Sequence, residues 1–271
     1  MNKIGIIPTL LTLGNAVCGF AAIAYASKID GTPQTQHFFS LSGWLLIAAM
    51  VFDVLDGSVA RLSKTASAFG GELDSLCDAV SFGAAPAFLL MRLGPDWDRP
   101  NLHRALAVVA TLYLVCTLLR LARFNVQNTP DAASHKSFQG LPSPGAAGCI
   151  ASLAVLRGEL TNRWTELDPL LVQRVIEAWA TLGAMLLALL MVSQVSYPHL
   201  TNQVLRGRRH FNHLVQLLVA AFVLILFQEL ALVVLFWGYA LGVLGQYLWA
   251  LRLHYRPLPA PSAGVDDRSL T

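Results

Sequence analysis

The chain has 271 residues, 55% of them hydrophobic and 13% charged, with a formal net charge of +3 and a mean hydropathy of +0.55. A soluble domain carries about 25% charged residues, so the composition excludes an ordinary soluble globule and fits a polytopic membrane protein. The small net charge gives no reason to expect a nucleic-acid partner.

A spanning helix needs about 20 mostly apolar residues. Eight segments meet that criterion, at 7–26, 38–58, 74–92, 105–124, 142–157, 174–193, 212–228 and 230–251. They predict an all-α fold, a transmembrane bundle of about eight helices. It forms one domain over residues 1–256, and the Pro- and Ala-rich tail 257–271 is expected to be disordered. The first run ends in Ala24-Tyr25-Ala26, which has the look of a leader-peptidase site. Its length exceeds the roughly 7–15 apolar residues of a leader, so it reads as a retained first helix. The fifth segment is short and rich in Gly and Ala, which suits tilting or close packing against neighbours. The seventh and eighth form one apolar run broken only at Gln228-Glu229.

The connections at 27–37, 93–104, 125–141, 158–173 and 194–211 read as polar loops. Cys18, Cys77, Cys116 and Cys149 all lie in apolar runs without regular spacing, and read as small buried hydrophobes. His210 and His213 read as surface or interfacial residues. With eight spans both termini share a side, which receives 12 of the 19 Lys and Arg residues. By the positive-inside rule that side is the cytoplasm, which implies a bacterial-type inner membrane with residues 53–78 facing inward.

Those residues hold the chemistry. Asp53 and Asp56 are three apart, and Asp74 and Asp78 four apart, so each pair shares a helix face. The linker between them can reverse the chain, so that two helices side by side would gather four carboxylates at a bilayer edge. Each Asp costs roughly 2.5–3.5 kcal/mol at a helix centre and calls for a compensating cation. All-oxygen donors suit Mg²⁺ or Mn²⁺, and a pair of ions could clamp both oxygens of a displacement at phosphorus. Gly57, Ala60, Gly70 and Gly71 leave room for a ligand, and Arg61 and Lys64 add positive charge suited to a diphosphate. Carboxylates that only cap helices or pair with Arg61 and Lys64 would leave the small residues unexplained. A cation transporter lined by the four Asp is the alternative from another class.

The pattern Asp53-x-x-Asp56-Gly57-x-x-Ala60-Arg61, eight residues, Gly70-x-x-x-Asp74-x-x-x-Asp78 resembles the motif of the CDP-alcohol phosphotransferases at every fixed position. These are membrane enzymes that move a phosphoryl group from a CDP-linked donor to an alcohol and release CMP. The resemblance implies that Asp53, Asp56 and Asp74 hold metal and that Asp78 contacts metal and is the catalytic base. It places Gly57 and Ala60 beside the nucleotide and Arg61 near the diphosphate, and suggests a homodimer; Gly70 and Lys64 complete the expected nucleotide and diphosphate site.

Three further stretches bear on the acceptor. Ile7-Pro8-Thr9-Leu10-Leu11-Thr12-Leu13-Gly14-Asn15 with Cys18-Gly19-Phe20 is similar to the opening of bacterial and archaeal phosphatidylserine synthases. Arg120-Leu121-Ala122-Arg123-Phe124-Asn125 and Phe138-Gln139-Gly140-Leu141-Pro142-Ser143-Pro144 resemble a later segment of the same enzymes. Met191-Val192-Ser193 with Tyr197-Pro198 is similar to their sixth-helix exit, although His199-Leu200-Thr201 departs from the usual continuation. The resemblance implies CDP-diacylglycerol as donor and L-serine as acceptor. Serine's carboxylate suits an arginine fork, which points to Arg120, Arg123 and Asn125. The same arginines could instead snorkel to lipid phosphates or hold the donor's diphosphate, and glycerol 3-phosphate or an inositol phosphate is the alternative acceptor.

Overall fold

The computed structural model describes residues 5–63, 67–94, 100–127, 140–163, 169–193 and 228–254. Every regular element among them is helical. The helices are α1 (Ile6–Ala26), α2 (His37–Leu62), α3 (Ala68–Asp78), α4 (Ala85–Leu93), α5 (Pro100–Gln127), α6 (Ser143–Arg163), α7 (Pro169–Val192) and α8 (Gln228–His254). A turn of π-helix at Ala79–Ala84 joins α3 to α4, so residues 68–93 run as one interrupted rod.

Six of these rods are long and apolar enough to cross a membrane. Seven of the eight expected segments are helical, and the seventh, 212–228, lies outside the described residues, as do His210 and His213. The count of eight is therefore not reached among the described residues. Several boundaries also move. Helix α5 begins at Pro100 and continues to Gln127, and α6 and α7 extend into the expected polar loop at 158–173, as far as Arg163 and from Pro169. Amphipathic helix ends continue past the apolar run that defines a span, so hydropathy alone undercounts them. Of the four free cysteines, Cys77, Cys116 and Cys149 are buried and Cys18 is half-buried.

The exposed surface has the polarity of a protein that meets lipid. Helix α1 buries Thr12, Asn15, Gly19, Ala22 and Ala26, a stripe at three- and four-residue spacing, while Leu10, Leu13, Val17 and Phe20 are exposed. Small residues face the bundle because lipid offers no hydrophobic drive for large ones to hide, and close backbone approach is what binds helices together. A Cβ on Gly19 would come within 2.6 Å of Ser81 Cα, so α1 meets the π-turn almost backbone to backbone.

Helix α6 occupies the core. Ala146, Ala147, Cys149, Ile150, Ala151 and Ala154 are at most 1% exposed, and the helix packs on α2, α4, α7 and α8. Its small residues admit these neighbours: Gly43 of α2 sits against the Ala151 carbonyl, Gly158 against the Ser40 backbone, and Gly148 under the Phe236 ring. The close packing expected for this Gly/Ala-rich segment is what the fold contains.

The π-turn has a local cause. Pro86 has no N–H to offer the carbonyl of Phe82, four residues earlier, and its ring crowds that carbonyl. The wholly buried Tyr113 of α5 donates its hydroxyl to the Phe82 oxygen at 3.1 Å. A polar group freed at membrane depth is thus satisfied from a neighbouring helix. At the end of the bundle remote from the Asp residues, Arg157 Nη1 donates to the Leu93 carbonyl at 2.9 Å and lies 3.7 Å from Glu177 Oε1. Its guanidinium stacks over Phe39 at 4.7 Å, tying together α2, α4, α6 and α7.

Candidate active site

The four Asp residues lie at one end of the bundle, where α2 finishes, α3 starts, α1 starts and α5 finishes. Ser67 opens α3: its hydroxyl accepts from the Gly70 N–H at 3.1 Å, the usual way of satisfying a free first-turn donor. That cap fixes the angle at which Asp74 is presented. The sequence reading has α2 and α3 packed directly side by side. Instead α1 packs along α2 and also against α3, the π-turn and α4, and so holds the two acid-bearing helices in register.

Carboxylate oxygens of Asp53, Asp56 and Asp74 lie within 4.8 Å of one another. At that separation and an effective dielectric of 20, each pair of ionised carboxylates repels by about 3.5 kcal/mol. Asp56 Oδ2 and Asp74 Oδ1 are buried without a hydrogen-bond partner among the described residues. Converging oxygen donors, mutual repulsion and unpartnered acceptors together fit a hard divalent cation. Asp78, the fourth carboxylate, stands apart from this triad. It is 9% exposed, and its Oδ1 accepts from Asn15 Nδ2 of α1 at 3.0 Å.

A cleft of about 200 Å³ opens beside Asp56 and Asp74, walled by Thr9 and Thr12 of α1, Gly57 and Ala60 of α2, and Gly70 and Gly71 of α3. Cβ atoms added to Gly57 or Gly71 would meet nothing within 4 Å. No packing inside the protein demands glycine at either position. Arg61 is exposed in the last turn of α2, just past the cleft wall. Lys64 lies outside the described residues.

The residues of α5 separate. Arg120 lies in the electrostatic reach of Asp53 and Asp78. Its Nη1 donates to Ser143 Oγ at 2.8 Å, while its Nε is buried without a partner among the described residues. Asn125 Oδ1 accepts from Ser75 Oγ at 3.0 Å, which ties the end of α5 to α3. Arg123 is half-buried and makes contacts of its own. Phe138 and Gln139 lie outside the described residues. Gly140 has φ +92°, and a side chain there would run into the Met191 carbonyl.

Sequence reasoning did not single out Asn15, Thr12 or Ser143. Asn15 carried a usable signal, since an amide inside an otherwise apolar span must find a polar partner. Ser143 lay within the Phe138–Pro144 stretch, but its pairing with Arg120 could not be read from it.

The described residues thus form an all-helical bundle whose Asp53, Asp56 and Asp74 could hold a metal ion beside a glycine-walled cleft. Residues 5–244 match the model of the CDP-alcohol phosphatidyltransferase family, and the chain belongs to that family. Among its relatives, the CDP-diacylglycerol–serine O-phosphatidyltransferase of Helicobacter pylori is 32% identical over 201 residues, covering 73% of this chain and 74% of the relative. The enzyme of the same name from Methanocaldococcus jannaschii is 34% identical over 205 residues, covering 75% and 79%. An archaetidylserine synthase from Methanothermobacter thermautotrophicus is 33% identical over 194 residues, covering 71% and 69%.

Proposed function

We propose that this protein transfers the phosphatidyl group of CDP-diacylglycerol to the hydroxyl of L-serine, giving phosphatidylserine and CMP. The observation that carries the reading is the convergence of Asp53, Asp56 and Asp74 beside a cleft walled by glycines. The names of its relatives, which cover about three quarters of the chain, support serine as acceptor.

The residues divide the work. Asp78 takes the proton of the serine hydroxyl as its oxygen bonds to the lipid-side phosphorus. The bond from that phosphorus to the CMP oxygen breaks, and CMP leaves with the electron pair. Gly57, Ala60 and Gly70 let the nucleotide lie against backbone, with Arg61 and Lys64 at the diphosphate's edge. Arg120, anchored by Ser143 with Nε left over, offers a guanidinium to serine's carboxylate, and Arg123 and Asn125 border it. Asp53, Asp56 and Asp74, with Asp78 at their margin, would hold two Mg²⁺ or Mn²⁺ ions, which would neutralise charge on the diphosphate and the departing CMP. The site faces the cytoplasm of a bacterial-type inner membrane by the distribution of Lys and Arg, and the working form is a homodimer.

The test is turnover in detergent micelles with CDP-diacylglycerol and labelled acceptors, following lipid product and CMP. Serine is expected to yield labelled lipid and glycerol 3-phosphate none. The reverse result overturns the acceptor and keeps the reaction class. The Asp78→Asn variant is expected to bind CMP normally and release none from CDP-diacylglycerol. Near-normal turnover in that variant removes Asp78 as the base.

A further inference from the structure

A carboxylate that must accept a proton along one line needs its plane fixed, and the last torsion of an Asp side chain is broad and soft. We propose that Asn15 is a positioning residue for Asp78. By donating from Nδ2 to Asp78 Oδ1 it sets the plane of the carboxylate and leaves Oδ2 as the oxygen that takes the proton of the acceptor hydroxyl. This rests on the reading of Asp78 as the base.

Four observations carry it. Asn15 is fully buried within α1, a costly place for an amide in a spanning helix, and its donor lies 3.0 Å from Asp78 Oδ1. Its own Oδ1 has no partner among the described residues. A polar residue kept only to glue helices would be expected to satisfy both ends of its amide, whereas this one commits its donor to the carboxylate. The stretch of α1 that carries Asn15 is pinned, since Ser81 Oγ donates to the Asn15 main-chain carbonyl at 2.9 Å, and Gly19 allows Ser81 that approach. Finally, Ser81 belongs to the π-turn that starts at the residue after Asp78. That turn is held from its other side by Tyr113 on the Phe82 carbonyl. Backbone and carboxylate of the base are therefore fixed together, the first by α1 and α5 and the second by Asn15. Such π-turns are frequent at functional sites.

The test compares full-length wild type with Asn15→Leu, Ser81→Ala and Asp78→Asn in detergent. It measures kcat, KM for CDP-diacylglycerol and for serine, and equilibrium binding of CMP. Leucine has the branching and side-chain heavy-atom count of asparagine and suits a spanning helix. Asn15→Leu is expected to lower kcat roughly 100-fold, the scale of a misplaced reacting group. KM for CDP-diacylglycerol and the CMP affinity should stay within about twofold, since the cleft is untouched. A wild-type kcat overturns the proposal, and so does a fall in kcat matched by loss of CMP binding, the signature of a packing role. Ser81→Ala keeps the question decidable if Asn15→Leu cannot be purified. It is expected to lower kcat by roughly threefold to tenfold at unchanged KM, and an unchanged kcat overturns the proposal. Asp78→Asn separates the two levels. If it is inactive while Asn15→Leu is normal, the positioning role falls and the base assignment stands. If Asp78→Asn is itself active, the base assignment falls and the proposal with it.

Discussion

Two helical glycines of the site region have opposite reasons for being glycine. At Gly19 a side chain would strike the backbone of Ser81, so the residue is needed for the protein to close. At Gly57 a side chain would meet nothing within 4 Å, yet the residue walls the cleft, and the proposed function assigns it to what enters. The consequence is an unusual pairing of effects. Gly57→Ala is expected to stabilise the purified protein by about 0.5–1 kcal/mol, because alanine restricts the unfolded chain and favours helix. It should also reduce kcat/KM for CDP-diacylglycerol by roughly tenfold, equivalent to about 1.4 kcal/mol. Thermal unfolding in detergent and steady-state turnover, run on one preparation, check both signs. A variant that is less stable, or equally active, contradicts the assignment of this glycine to the cleft.

At the scale of the helix, α2 and α6 meet along a close seam. Gly158 lies against the Ser40 backbone, with 2.6 Å between its would-be Cβ and the Ser40 nitrogen, and backbone cannot step aside as a side-chain tip can. Gly158→Ala should push the two helices apart and cost about 1–3 kcal/mol, the range for overpacking a tight contact. A lowered melting midpoint with unchanged KM for CDP-diacylglycerol is the expected readout, since the seam there is at the far end from the cleft. The seam also marks what could be read from sequence. That the 142–157 segment is rich in Gly and Ala was enough to expect close packing. The Asp triad was legible too, because spacings of three and four within a helix are local facts and a short linker leaves few ways to fold back. That α1, not a direct α2–α3 contact, holds the triad together was not legible. Neither were the Asn15–Asp78 and Arg120–Ser143 bonds, which join residues 63 and 23 positions apart. No periodicity encodes a pairing between helices. Pro86 was a readable signal that went unused, since a proline inside an apolar span leaves a carbonyl needing another donor.

The whole molecule is divided end from end. The reacting end is acidic, open and walled by glycine, while the other end is drawn shut by Arg157, with its bond to the Leu93 carbonyl, its pairing with Glu177 and its stacking on Phe39. Arg157→Leu should therefore weaken the fold without touching the chemistry. The expected loss is about 3 kcal/mol, the low end for removing one member of a buried pair. It should appear as a melting midpoint lowered by several degrees, with KM values for both substrates unchanged. A change in acceptor preference would contradict this division.

The core helix α6 has a consequence for how the protein is made. Its buried face is built largely from alanine, glycine, serine and cysteine, with Ile150, Leu153 and Val155 among them, and it is absent from the six rods apolar enough to cross a membrane on their own. A segment with so little affinity for hydrocarbon gains little by leaving the translocon alone. Its surroundings are supplied by α2 and α4, synthesised before it, and by α7 and α8, synthesised after it. Insertion of this chain is thus not a series of independent helix entries. The ribosome delivers α7 and α8 only after α6, so α6 is fully sheltered only once they follow.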